Sequence, residues 1–324
     1  MENLKEPFFW VVDSRQQETG WVVINGPIIT HAEQEQFAEL RRLNYRFMGM
    51  SSYLTFPLTD NADTLEYETV CEAWCHCFRE PDQFFKTDIP RALISYSDFT
   101  DFHRLSPQNV ITNIRAERFD VVYAGATEDW KRVPKNWRLA GRCIPRMCAE
   151  LGLRALVIGT PNEDFAEAPG VNFVSHLPWH DLLAHLVQSR FLFVPNVLDP
   201  SPKVLGEALC LDVPLVMHKE ILGGWKYINA FTGVFFNGEE DVIAAVRACL
   251  NKSRNPRDWF RVNYGPYLAG QRLLRLLRSV DPSISEQSHL CLVESESAEA
   301  HPATGLREIS CHPPSVKSVS RPLI

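Results

Sequence analysis

The chain has 324 residues, enough for two domains of about 100–200 residues each. Apolar residues make up 45% and charged residues 23%, a globular composition that excludes wholesale disorder, collagen and coiled coil. The 40 acidic and 33 basic residues give a net charge of −7, the opposite sign to that of a protein whose main partner is nucleic acid.

The sequence shows no membrane or export signal. No run reaches the roughly 18 apolar residues that a membrane-spanning helix needs. The first residues are polar and acidic and lack the basic region of a secretory signal. Without such a signal, the nine scattered cysteines predict reduced thiols. The sequence therefore predicts a cytoplasmic protein.

Residues 1–115 mix short apolar runs with turns and predict an N-terminal α/β domain. The patterns predict strands at 8–12, 21–24, 47–50 and 92–96 and a helix at 31–43.

The densest cysteine cluster is Cys71-x3-Cys75-His76-Cys77. Zinc sites usually pair two such ligand groups, and no second group follows at a usual distance. We therefore favour a helix over residues 68–79 whose thiols face a core, since free cysteine is among the most buried residue types. The sequence predicts no metal site.

From about Phe119 the chain alternates between strand and helix patterns of the length found in βαβ units. Continuous apolar strands in this arrangement predict a parallel sheet that is covered on both faces. The predicted strands lie at 119–125, 154–159, 171–174, 191–195, 214–217 and 232–236, and the helices at 136–151, 178–188, 203–211 and 240–250.

The last predicted helix, residues 268–280, has a leucine face and an arginine face. We favour packing of the leucine face on a core, with peripheral contact with a membrane surface as the alternative. Residues 282–324 are rich in Ser, Glu, Pro and His and predict a disordered tail. The predicted second domain therefore spans residues 116–281.

The most suggestive segment follows the strand at 191–195, where a loop leads into the helix that starts near Lys203. Amides at a helix N-terminus, together with the macrodipole, attract an anion such as a diphosphate. Lys203 would add positive charge, Asp199 would accept from sugar hydroxyls, and Glu207 from a ribose hydroxyl. The alternative is that Asp199 only caps the helix and Glu207 is a solvated helix residue.

Residues 199–216 resemble the donor-binding signature of retaining, nucleotide-sugar-dependent glycosyltransferases with the GT-B fold, the group 1 or family 4-like enzymes. That signature has two acidic residues with seven between them, then Ala and an apolar residue, and a Pro before a strand. Asp199 and Glu207 stand at the acidic positions, with Asp in place of the commoner Glu. Pro202 stands where the family has Gly.

The resemblance extends over about residues 119–280. Gly125 followed by Lys131 and Lys135 is similar to the family's strand–Gly–loop–Lys segment, which reaches the donor phosphates. Gly223 and Gly224 lie in a segment similar to its glycine-containing loop.

The resemblance implies a GT-B-like α/β fold of two Rossmann-like lobes with parallel sheets, with the acceptor in residues 1–115 and the donor in residues 116–281. It implies a metal-independent reaction without a cofactor, consistent with the lack of a well-placed Asp-x-Asp pair. The catalytic candidates are Asp199, Lys135 and Lys131. The donor-binding candidates are Gly125, Ser201, Lys203, Val204, Glu207, Gly223 and Gly224. The acceptor-side candidates are Ser52, Asp98 and His103.

The predicted function is transfer of a sugar from a nucleotide-sugar donor to a glycan or other hydroxyl acceptor, with retention of configuration implied by the resemblance. The alternative is a non-catalytic nucleotide- or carbohydrate-binding α/β protein derived from such an enzyme. A dinucleotide-dependent oxidoreductase is disfavoured, because no G-x-G-x-x-G follows a strand.

Overall fold

The computed structural model describes residues 4–58, 65–111, 117–284 and 289–293. Its strands, in chain order, are β1 (Phe8–Asp13), β2 (Glu18–Ile24), β3 (Arg46–Met50), β4 (Ala73–His76), β5 (Arg91–Leu93), β6 (Val121–Tyr123), β7 (Ala155–Ile158), β8 (Val171–Val174), β9 (Phe191–Val194), β10 (Leu215–His218), β11 (Gly233–Phe236) and β12 (Leu290–Val293).

The helices are α1 (His31–Arg42), α2 (Tyr67–Val70), α3 (Pro107–Ile111), α4 (Trp137–Leu151), α5 (Trp179–Gln188), α6 (Lys203–Cys210), α7 (Val242–Leu250), α8 (Pro256–Asn263) and α9 (Pro266–Val280). Local signals explain several of their ends. A capping box formed by Thr30 and Glu33 starts α1, and Gly152, with φ of 63°, ends α4 as its position in the sequence predicts.

The strands form two sheets, each the centre of one lobe. The first has the order β12-β1-β2-β3-β4-β5 and is parallel except for β1, which runs antiparallel to both neighbours. The second has the order β11-β10-β9-β6-β7-β8 and is parallel throughout. The prediction of an α/β fold with two Rossmann-like lobes and parallel sheets is confirmed.

The prediction of a helix over residues 68–79 is wrong. The chain forms the short helix α2 and then β4, which pairs with β3 and β5. Trp74 packs in the core on one face of the sheet, and Ala73 and Cys75 pack in the core on the other. Side chains that alternate between the two faces of a sheet in this way are typical of a strand. Here the burial of both faces outweighs the local helical pattern of the sequence.

Cysteine chemistry follows from this burial. In the described residues seven cysteines are free and buried, and desolvation raises the pKa of the thiols of Cys71, Cys75 and Cys77. The described residues contain no His, Cys, Asp or Glu group arranged to hold a metal ion.

The predicted boundary between the second domain and a disordered tail, at residues 281 and 282, also needs correction. Leu273 and Leu277 of α9 pack in the core of the first lobe, in the same hydrophobic cluster as Val11 and Val23. The strand β12 pairs with β1, so Leu290–Val293 are ordered where the sequence predicts a disordered tail. The chain therefore returns to the first lobe after α8. The rest of the predicted tail, residues 285–288 and 294–324, lies outside the described residues.

The leucine face of α9 is buried in this core, as the favoured interpretation of that helix predicts. One of its arginines, Arg272, donates from Nη2 to the carbonyl of Asn263 at 2.7 Å. Among the helices that the structure describes, none has the length and apolar character needed to cross a bilayer.

Candidate functional site

The strand order of the second sheet locates a crevice. From β6 the chain proceeds outward to β7 and β8 and then returns to place β9 on the other side of β6. In open parallel sheets, ligands bind at such a reversal, outside the carboxyl ends of the strands. The loops that follow β6 and β9, residues 124–136 and 195–202, meet at this point, and Val197 N donates to Pro134 O at 3.1 Å.

Lys135 and Asp199 come together here. The ammonium of Lys135 lies 2.6 Å from Asp199 Oδ2, and their side chains are only 20% and 13% exposed. Asn196, which is buried, donates from Nδ2 to the same oxygen at 2.9 Å. Tyr123 of β6 donates from its hydroxyl to the carbonyl of Lys135 at 2.9 Å. A cation and an anion are thus held in fixed positions at the crevice.

The structure separates the basic residues that compete in the sequence for the phosphate role. Lys131 pairs with Glu128 at 2.5 Å within one turn of the loop, and Arg132 pairs with Asp129 at 3.1 Å. Lys135 instead reaches across to the loop after β9. The tertiary contact therefore singles out Lys135 as the lysine beside Asp199.

Helix α6 begins directly after this loop. Pro202 precedes its first residue and provides no side-chain cap, so the first-turn amides, at Lys203 and Val204, lie at the positive end of the helix. The carboxylate of Glu207, one turn further on and half-buried, accepts a hydrogen bond from Trp179 Nε1 at 2.8 Å. Burial raises the pKa of Glu207, against the opposing effects of this hydrogen bond and the charge of Lys203.

Glycines allow the loops around the crevice to pack closely. A Cβ on Gly223 would lie 1.6 Å from the carbonyl oxygen of Pro200, and the Gly223 amide donates to the Asp199 carbonyl at 3.1 Å. Gly224 has a φ of 82°, a conformation that side chains disfavour. A Cβ on Gly125 would lie 2.6 Å from Ile158 O, where β6 and β7 end side by side.

The three acceptor-side candidates do not converge. Ser52 lines a cavity between the lobes that Ser201 and Lys203 also line. Asp98 is fully buried, 2.6 Å from Lys226 Nζ, and accepts from the hydroxyl of Tyr227.

His103 lies exposed on a turn of the first half of the chain, with its ring against Phe102. Its backbone N–H donates to Asp101 Oδ1 at 2.8 Å. It does not line the cavity that contains Ser52.

Sequence reasoning missed Asn196 and Trp179. Asn196 directly follows the buried strand segment that ends at Pro195, a position at the carboxyl end of a strand where polar side chains face ligands. Trp179 is the first residue of α5 and is 47% exposed, an unusual amount for a tryptophan. The signal for Asn196 is visible in the sequence once the strand ends are assigned, whereas the exposure of Trp179 is known only from the structure.

No protein-family model matches the chain, and no curated protein matches it in sequence. Several solved structures are similar to it. HepE of Anabaena, in complex with UDP and glucose, has a TM-score of 0.55 at 11% identity, with 77% of this chain and 76% of that chain covered. Sucrose-phosphate synthase from Thermosynechococcus elongatus has a TM-score of 0.54 at 14% identity, covering 78% of this chain and 72% of that chain.

A third similar structure, the trehalose-6-phosphate synthase OtsA, has a TM-score of 0.52 at 11% identity, with 74% of this chain and 69% of that chain covered. The chain has a GT-B glycosyltransferase-like fold. The fold that the sequence resemblance implies is thereby confirmed. Since such low identities establish a fold and not an activity, the function is argued below from the residues of the GT-B crevice.

Proposed function

We propose that the protein transfers a glycosyl unit from a nucleoside diphosphate sugar to a hydroxyl acceptor. The observation that carries this proposal is the ion pair between Lys135 and Asp199 at the reversal of the second sheet, next to the N-terminus of α6. Lys135 supplies positive charge for a diphosphate, and Asp199 beside it supplies a carboxylate for sugar hydroxyls, within a GT-B glycosyltransferase-like fold.

The lysine acts on the leaving group. When the bond between the anomeric carbon and the diphosphate oxygen breaks, negative charge grows on the nucleoside diphosphate. The ammonium of Lys135 and the amides of Lys203 and Val204 stabilise that charge, and their fixed positions mean that little reorganisation is needed. Because these groups supply the positive charge, the proposed reaction is metal-independent.

The carboxylates position the donor. Asp199, which Asn196 and Lys135 hold in place, accepts hydrogen bonds from the hydroxyls of the transferred sugar. Glu207 accepts from a ribose hydroxyl through the oxygen that Trp179 leaves available. The acceptor hydroxyl then bonds to the anomeric carbon as the bond to the diphosphate oxygen breaks, and its proton passes to that departing diphosphate oxygen. Retention of anomeric configuration is part of the proposal on the strength of the sequence resemblance alone.

Binding and turnover are tested separately. Calorimetry with UDP, GDP and ADP measures binding of the leaving group, and release of nucleoside diphosphate from a panel of nucleotide sugars measures turnover. We expect Lys135→Met to lower kcat by about a hundredfold or more, the usual effect of removing one fixed group that stabilises developing charge. Lys252→Met, an exposed lysine after α7, is the matched control.

Lys131→Met decides between the two lysines that the sequence leaves open. A larger loss of kcat in Lys131→Met than in Lys135→Met would contradict the assignment. Binding of a nucleoside diphosphate with no release or transfer from any donor would instead support the alternative of a non-catalytic binding protein.

A further inference from the structure

The two loops that meet at the crevice are tied together on both sides of Lys135. On one side, the carbonyl of Pro134 accepts from two successive backbone amides of the loop after β9, at 3.1 and 3.3 Å. On the other side, Asn136 donates from Nδ2 to the carbonyl of Pro195 at 3.1 Å. The side chain of Lys135 therefore starts from a backbone position that is fixed relative to the loop carrying Asp199.

Asn136 makes this contact at the expense of its own helix. It is the N-cap of α4, where an asparagine side chain ordinarily accepts from amides of the first turn, yet it makes no such bond. Its φ of 52° and ψ of 51° lie in the left-handed region, which non-glycine residues rarely adopt. Local structure thus explains neither the conformation nor the direction of this side chain. Locally unfavourable choices of this kind concentrate at functional sites, where tertiary contacts stabilise them.

The contact continues directly to the aspartate. Pro195, which accepts from Asn136, is followed by Asn196, and the side chain of Asn196 donates to Asp199 Oδ2 at 2.9 Å. The same oxygen lies 2.6 Å from Lys135 Nζ. A closed ring of contacts thus joins the loop of the lysine to the loop of the aspartate.

A lysine depends strongly on such support, because its flexible four-carbon chain carries a point charge that many rotamers direct elsewhere. In the same loop, Lys131 and Arg132 each pair with an acid three residues earlier. Whether Lys135 reaches the crevice is therefore decided by where its backbone lies. Displacement of a catalytic group by about 1 Å is enough to lower a rate by about a hundredfold.

Among the contacts that fix this backbone, the one from Asn136 is the one that a substitution removes cleanly. The bonds to the carbonyl of Pro134 join backbone groups. Tyr123, whose hydroxyl donates to the carbonyl of Lys135 at 2.9 Å, has a buried ring, so its removal would leave a cavity in the core. Asn136 is half-buried and makes its contact through the terminal amide.

We propose that Asn136 is a positioning residue, which holds Lys135 beside Asp199 by tying the loop of the lysine to Pro195. Its effect on transfer rests on the proposed function, in which Lys135 stabilises the departing diphosphate. Its effect on the ion pair rests on the geometry alone. Asn136 acts through Lys135 and not on the reacting atoms.

Two substitutions separate the amide of Asn136 from its backbone conformation. Asn136→Gly keeps the left-handed conformation and removes the amide. For release of nucleoside diphosphate from a nucleotide sugar, we expect its kcat to fall about tenfold and its KM to change by less than about threefold, because the charge on the leaving group grows only in the transition state. Asn136→Asp keeps the size of the side chain but turns an oxygen towards the Pro195 carbonyl, and should lose at least as much. Asn44→Gly, at an exposed asparagine after α1 with a φ of 62°, is the matched control and should keep the wild-type kcat.

A mutant cycle on stability measures the ion pair without any substrate. Urea unfolding gives the coupling between Lys135→Met and Asp199→Asn, first in the wild-type background and then with Asn136→Gly. We expect the coupling to fall to about half or less in the Asn136→Gly background. A purely structural role of Asn136 would lower the stability of every member of the cycle equally and leave the coupling unchanged.

Three outcomes overturn the inference: Asn136→Asp keeps the wild-type kcat, folded Asn136→Gly loses no more kcat than Asn44→Gly, or the coupling of the ion pair is the same in both backgrounds. The two experiments keep this result apart from the proposed function. If the wild-type chain releases no nucleoside diphosphate from any donor, the proposed function fails, and a coupling that falls with Asn136→Gly still supports the positioning role. If release occurs and neither kcat nor the coupling responds to Asn136→Gly, the positioning role fails alone.

Discussion

The contact between the lobes includes a buried ion pair whose removal should destabilise the protein strongly. Asp98 of the first half of the chain is fully buried, and the Lys226 side chain, from the segment after β10, is 7% exposed. Their oxygen and nitrogen atoms lie 2.6 Å apart. In Lys226→Met the carboxylate of Asp98 stays buried without its cation, a change that typically costs about 3–5 kcal/mol.

The remaining partners of Asp98 set the expected value within that range. The amide of Ser95 donates to Oδ2 at 3.0 Å, and the hydroxyl of Tyr227 donates to Oδ1. Burial and the charge of Asp98 raise the pKa of Tyr227 well above its usual value, so this phenol stays protonated and remains a donor. Because these two hydrogen bonds persist, we expect a loss of about 3 kcal/mol, the lower end of the range.

Equilibrium unfolding in urea, followed by tryptophan fluorescence, measures this loss. Lys86→Met is the matched control, since Lys86 is exposed and 3.8 Å from the exposed Glu66, and such pairs contribute about 0–1 kcal/mol. The double variant Asp98→Asn with Lys226→Met should lose less than the sum of the two single variants, because neither charge is then left alone. A folded Lys226→Met protein that loses less than about 1 kcal/mol would refute this reasoning.

Two further predictions concern the donor loop and the first lobe. Gly223→Ala places a methyl group against the Pro200 carbonyl and should weaken nucleoside diphosphate binding by about tenfold in calorimetry, or about 1.4 kcal/mol. Gly238→Ala is the control and should leave this binding unchanged, because its methyl group meets only the flexible carboxylate of Glu240. Equal effects of the two variants would contradict the loop-packing argument. Burial and two nearby cationic side chains lower the pKa of His76 to about 4 from its usual 6.5, so its contribution to stability is complete above pH 6.5 and is lost as the pH falls towards 4. Between pH 7 and pH 4.5, wild-type protein should therefore lose about 2–3 kcal/mol more unfolding free energy than His76→Gln, and parallel losses would show that His76 is solvated.

The second lobe is the part of the fold that the sequence predicts well. Each strand from β6 to β11 overlaps a predicted strand, because parallel strands covered on both faces leave continuous apolar runs. The first lobe is predicted less well. Its strand β4 has a sequence that also fits a helix, and β12 is short and follows a polar segment.

The sequence likewise predicts some residues of the candidate site and misses others. Asp199 and Glu207 stand out in the sequence because a strand, a loop and a helix start follow one another within a few residues. The partners of these acids do not stand out. Lys135 is 64 residues before Asp199, and Trp179 is 28 residues before Glu207. Spacing along the chain carries no information on contacts at that separation.

By itself, the sequence determined the class of fold, the parallel sheet of the second lobe and the loop that leads into α6, since each depends on local periodicity and on strand and helix ends. The tertiary structure alone decided which lysine meets Asp199, that Asp98 is a buried contact between the lobes, and that Ser52 and Lys203 line one cavity. It also decided that the chain after α8 returns to the first lobe. These outcomes depend on the order of the strands within each sheet and on how the two sheets face each other. Both are determined by burial over the whole chain and not by any local sequence pattern.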